Sequence, residues 1–87
     1  MIMDTIRLES VNRSALHDIF EAYFPAPYGR NLDALYDVLS CLNTELTIEL
    51  DEPSLLATLE DRYYGKLLRM LRDVAEENPK ITLTVCE

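Results

Sequence analysis

Apolar positions along the chain switch between two periods. From Met1 to Leu8 they alternate with polar ones, with Ile2, Thr5 or Ile6 and Leu8 apolar or β-branched, which predicts a first strand. Leu16, Ile19, Phe20, Tyr23 and Phe24 then recur at helical spacing. A helix is expected from a cap at Asn12 or Ser14 to about Tyr23, ended by Pro25 and Pro27. The segment from Pro25 to Arg30 holds two of the four prolines and one of the two glycines, and reads as a rigid surface loop. Asn31 stands where an N-cap belongs. Leu32, Leu35, Leu39 and Leu42 after it form the apolar stripe of a second helix.

The second half repeats this grammar. Leu46 to Leu50 reads as a strand, Pro53 opens the next segment, and Ser54 to Leu59 is a short helical piece. A longer helix is expected from about Tyr64 to Glu77, with Leu67, Leu68, Leu71 and Val74 facing inward and Asn78-Pro79 closing it. Ile81 to Val85, rich in β-branched residues, is a final strand. Strands separated by helices pair in parallel through right-handed crossovers. The fold class expected is therefore α/β, a small three-stranded parallel sheet covered by helices. The 87 residues are expected to form one domain over 1–87, since this length supports one modest core and no deep cofactor-binding architecture.

Charge narrows the partners. Sixteen acidic residues against eight basic ones give a formal net charge of −8, which repels nucleic acid and anionic lipid and attracts a basic protein. The start of the chain carries Asp4 and Arg7 within a short alternation and does not read as a secretory leader, and no apolar run approaches the roughly 20 residues that span a bilayer. Cys41 and Cys86 form no CxxC pair and read as reduced packing residues. A cytoplasmic location without membrane contact is the expectation that follows.

Little in the sequence points to catalysis. His17 is the only histidine and lies among residues of the first helix, where a packing or surface role is the ordinary one. Neither cysteine has an activating histidine or a cationic neighbourhood nearby in sequence, and two glycines do not make a phosphate loop. No zinc-ligand or calcium-loop spacing occurs, so no metal and no cofactor is expected. The informative feature is the second helix. At about 100° per residue, Asp33 and Asp37 project opposite the Leu35, Leu39 and Leu42 stripe, so both carboxylates face outward one turn apart. Like charges at this spacing oppose the helix slightly. The positive helix N-terminus favours Asp33, whereas Asp37 lies a turn further on and has Cys41, not a cation, four residues later.

The stretch Tyr28-Gly29-Arg30-Asn31-Leu32-Asp33-Ala34-Leu35-Tyr36-Asp37 resembles the barstar family of intracellular ribonuclease inhibitors. The pattern there is Tyr-Gly-x-Asn-Leu-Asp-Ala-Leu-aromatic-Asp, matched here in order and without a gap. The order of strands and helices is similar over essentially the whole chain. The resemblance implies a barstar-like fold in which the acidic helix and the loop before it plug the cationic cleft of a basic ribonuclease such as barnase. It implies partner-binding roles for Tyr28, Gly29, Asn31, Asp33, Tyr36 and Asp37, and for Asp73, where the family carries a glutamate. Pro27 stands where the family has an aromatic contact residue, Tyr36 where it has tryptophan, and the turn after Leu42 is shorter. Two rival readings remain open at this level. One is an immunity or adaptor protein of the same fold that neutralises a different basic toxin; the other is a small metal-dependent enzyme using Asp33, Asp37 and Asp73.

Overall fold

The structure, a computed structural model, describes residues 4–24 and 28–87. Its elements follow one another as β1 (Asp4–Leu8), α1 (Arg13–Tyr23), α2 (Leu32–Ser40), β2 (Leu46–Asp51), α3 (Glu52–Thr58), α4 (Asp61–Glu77) and β3 (Ile81–Cys86). The strands form one parallel sheet in the order β1-β2-β3. This is the α/β architecture the periodicity predicts. The expected first strand is present from Asp4, and its first three residues lie outside those described.

Register explains which side of the sheet the helices cover. Ile6 pairs with Ile48, which pairs in turn with Leu83, and Leu8 pairs with Leu50, which pairs in turn with Val85. Ile6, Leu8, Ile48 and Leu50 are buried, while Leu83 and Val85 on the β3 edge are half-buried. The intervening row Thr5, Thr47 and Thr82, and the row Arg7, Glu49 and Thr84, are partly or fully exposed. A parallel sheet covered on both faces reads as a continuous apolar run; alternation in every strand means that one face is open. Successive crossovers of the same hand, β1 to β2 to β3, place all the helices on one side. The helices therefore cover one face only. On the other, Arg7 bridges β1 to its neighbours, with Nη1 3.3 Å from Glu49 Oε1 and 3.8 Å from Cys86 Sγ.

Under the covered face, Leu16 and Phe20 of α1, Leu35 and Leu39 of α2, Leu55 of α3, and Leu67, Leu71 and Val74 of α4 are all fully buried. Local chemistry sets the helix ends. Asn12, rather than Ser14, caps α1, with Oδ1 accepting from the Ala15 amide at 2.8 Å. Pro53 sits in the first turn of α3, where its missing N–H costs nothing. The last helix begins at Asp61, a turn earlier than its apolar stripe suggests, because Asp61 and Arg62 are exposed and leave no hydrophobic signal. Leu68, expected inside, is half-buried beside the core. Both cysteines are free thiols, and Cys41 is exposed rather than packed.

Candidate functional site

The α2 helix is fixed from behind and at both ends. Leu35 and Leu39 are fully buried, and truncating either to alanine would cost about 2–5 kcal/mol. At its start, Asn31 Oδ1 accepts from the Ala34 amide at 2.7 Å while its Nδ2 donates to the Gly29 carbonyl at 3.2 Å. One side chain thus caps the helix and closes the loop before it. Beyond its end, the buried Asn78 side chain donates from Nδ2 to the carbonyls of Leu39 at 2.9 Å and Leu42 at 3.1 Å. It supplies a donor to the Leu42 carbonyl just past the helix and adds one to the Leu39 carbonyl, which also accepts from the Leu42 amide at 3.2 Å.

The loop leading into α2 is held just as firmly. Arg30 has φ of 55°, the left-handed region that a residue with a side chain rarely adopts. Its guanidinium reaches back to α1, 2.8 Å from Asp18 and 2.9 Å from Glu21, with a further bond to the Ser14 carbonyl at 3.3 Å. The cation inside the acidic motif is therefore turned away from Asp33 and Asp37. The surface-loop expectation fails at Tyr28, which is only 8% exposed. Its hydroxyl lies 2.5 Å from His17 Nδ1, and His17 Nε2 lies 2.7 Å from the Tyr63 hydroxyl. One buried histidine on α1 therefore ties the loop to α4. Burial, then repulsion from Arg30 and Arg13, lowers the His17 pKa below its ordinary 6.5. Burial likewise pushes Tyr28 up to about 12, so its phenol stays protonated. Residues 25–27 of the expected rigid loop lie outside the described residues.

Gly29 is needed for a reason inside the molecule. A Cβ there would stand 3.1 Å from Ala34 Cβ and 3.4 Å from Asn31 Nδ2, so the bare backbone lets the loop lie against the first turn of α2. The resemblance implies a partner-binding role for Gly29 as well. It remains exposed, but its own helix already uses that space.

Asp33 and Asp37 are both exposed, and among the described residues neither is ion-paired. The neighbouring α4 lies alongside α2 in the same direction. Asn31, Leu32 and Asp33 share a cleft of about 480 Å³ with Tyr63, Lys66 and Met70 of α4. Further along, the Tyr36 hydroxyl donates to Glu77. The Tyr36 pKa is raised by that bond first, with the Asp73 and Asp37 charges adding to it. The structure thus brings Asp37, Tyr36, Asp73 and Glu77 together at one end and Asn31 and Asp33 at the other, with Tyr28 buried behind. Sequence reasoning passed over His17, Arg30, Tyr63 and Glu77 because their partners lie between 9 and 46 residues away.

Among the described residues no group of three or more histidine, cysteine or acidic side chains is placed to hold a metal ion. No helix among the described residues is long and apolar enough to cross a membrane. A braced helix whose acidic face is exposed and, among the described residues, unpaired thus stands beside a parallel sheet covered on one side. The chain belongs to the barstar family, described as barnase inhibitor, whose model matches residues 4–86. No curated protein matches the chain. The family consists of inhibitors of ribonucleases such as barnase, and the chain is barnase-inhibitor-like in that sense.

Proposed function

We propose that this chain inhibits a basic microbial ribonuclease by laying the outward face of α2 across the enzyme's active-site cleft. A ribonuclease cleft is cationic because it must hold phosphate. A carboxylate accepts paired hydrogen bonds from an arginine fork much as a phosphate does. Asp37, which together with Asp73 acts on the Tyr36 hydroxyl, is the residue that takes this role, and Asp33 takes a second contact nearer the loop. The observation that carries the reading is that both aspartates are exposed and, among the described residues, unpaired on a helix anchored on its opposite face by the fully buried Leu35 and Leu39.

The remaining residues divide by what their atoms already do. Asn31 and Tyr28 hold the loop through the cap and through His17, so they act by positioning. Gly29 offers exposed backbone, and Tyr36, half-buried and bound to Glu77, offers one edge of its ring. The net charge of −8 speeds encounter with a basic enzyme. The reading fits a cytoplasmic inhibitor, as the resemblance to intracellular ribonuclease inhibitors implies.

Substituting Asp37→Ala tests this. A central interface charge costs about 2 kcal/mol or more on truncation, a scale to which complexes of this family themselves contributed. Folding stability should change by less than about 1 kcal/mol, because the carboxylate is exposed and unpaired. Asp33→Ala should be milder in the same direction. Inhibition of barnase, used as the probe, that is equal in wild type and both variants would discard this face.

A further inference from the structure

Half of the eight basic residues fall within eleven positions of α4, at Arg62, Lys66, Arg69 and Arg72. The others are largely accounted for. Arg7, Arg13 and Arg30 are ion-paired, leaving Lys80 beside the last strand. Arg62, Lys66 and Arg69, by contrast, are exposed and form no ion pair among the described residues. With Asp73 and Glu77 they occupy successive positions of one stripe, spanning an arc of about 80° at 100° per residue. The stripe is basic over its first two turns and acidic over its last.

This stripe does not lie apart from the acidic helix. Lys66 lines the same cleft as Asp33 and the ion-paired Arg13, together with Leu32, Tyr63 and Met70. At the other end Glu77 holds Tyr36. A protein seated on Asp33 and Asp37 therefore also covers the cleft and takes Lys66 out of water. A cation desolvated at an interface without a counter-charge is strongly unfavourable, and like charges brought face to face cost several kcal/mol. A nuclease surface that were cationic throughout would meet Asp37 well and Lys66 badly.

Building on the inhibitory reading above, we propose that the cognate nuclease carries a carboxylate at the edge of its cationic cleft, and that Lys66, flanked by Arg62 and Arg69, binds it. The polar stripe on α4 then sets the register of docking. The acidic end, with Asp37 and Asp73, takes the cationic cleft, and the basic end takes the acidic edge. It also selects among nucleases, since one without that carboxylate leaves Lys66 buried and unpaired.

The test is Lys66→Glu in the full chain, with Asp37→Ala alongside, against a panel of microbial ribonucleases that includes barnase, read on the enzyme the wild-type protein inhibits most tightly. The substitution takes the net charge from −8 to −10, since +1 becomes −1. If the stripe touches nothing, the added negative charge should speed association with a basic enzyme and leave dissociation unchanged. The proposal expects the reverse sign, with dissociation faster by tenfold or more and an unchanged thermal midpoint, while Lys66→Arg retains tight binding. Unchanged or tighter binding of Lys66→Glu, with Asp37→Ala impaired, overturns the α4 contact and leaves the inhibitory reading standing. Failure of the wild-type protein to inhibit any enzyme of the panel at micromolar concentration removes both. A shift in sedimentation on Lys66→Glu, with nuclease binding intact, assigns the stripe to self-association and overturns the proposal.

Discussion

The two glycines provide a direct test of how the site is built, because the structure assigns opposite signs to the same substitution. At Gly29 an added methyl would lie 3.1 Å from Ala34 Cβ, inside the roughly 3.5–4.0 Å optimum of a carbon pair. Ala34 is fixed on the first turn of α2, so the loop has to move. That movement strains the Asn31 bond to the Gly29 carbonyl. Overpacking of this kind costs about 1–3 kcal/mol, and the reduced freedom of the unfolded chain returns about 0.4–1 kcal/mol. Because neither glycine has positive φ, no backbone strain adds to the balance. Gly29→Ala should destabilise by about 0.5–2 kcal/mol. At Gly65, inside α4, the same methyl meets nothing within 4 Å. There alanine should stabilise by about 0.8–1 kcal/mol through helix propensity alone. For a domain of this size each kcal/mol moves Tm by about 4–8 °C, so scanning calorimetry on the two variants should show shifts of opposite sign. A Gly29→Ala protein at least as stable as wild type would refute the claim that the loop lies against α2 through its bare backbone.

Two further expectations concern the buried polar groups. His17 has a folded-state pKa below 6.5, so the stability it contributes is present above about pH 6.5 and is lost as pH falls through the folded-state value. Urea midpoints followed from pH 8 to pH 5 should fall more steeply for wild type than for His17→Asn, and equal slopes would count against a neutral histidine bridging Tyr28 and Tyr63. Asn78→Ala should cost about 2–4 kcal/mol by equilibrium denaturation, since it strips donors from the Leu39 and Leu42 carbonyls, and a loss under 1 kcal/mol would show that water replaces them.

The fold was largely legible because its information is local. Period-2 and period-3.6 stretches named all three strands and most of each helix, and Asn31 announced the start of α2 by its own chemistry. The start of α4 was lost where its first turn carries only exposed polar residues. The one-sided covering was present in the alternation of β2, Leu46, Ile48 and Leu50 in and Thr47, Glu49 and Asp51 out. For the site, the outward placement of Asp33 and Asp37 followed from helical geometry. The bracing did not, because the contacts of His17 with Tyr63 and of Tyr36 with Glu77 join residues 46 and 41 positions apart. Tyr28 looked like an exposed anchor because a turn-rich neighbourhood carries no sign of a buried partner on another helix.

The central claim is that the α2 face occupies the ribonuclease cleft itself. Calorimetric titration of this protein into barnase, free and then saturated with a guanosine 3′-monophosphate that fills the cleft, tests it most directly. The account expects strict competition, with the apparent affinity falling in proportion to the fraction of enzyme left free of nucleotide and no ternary complex. Binding of equal affinity to the free and the nucleotide-filled enzyme would contradict it.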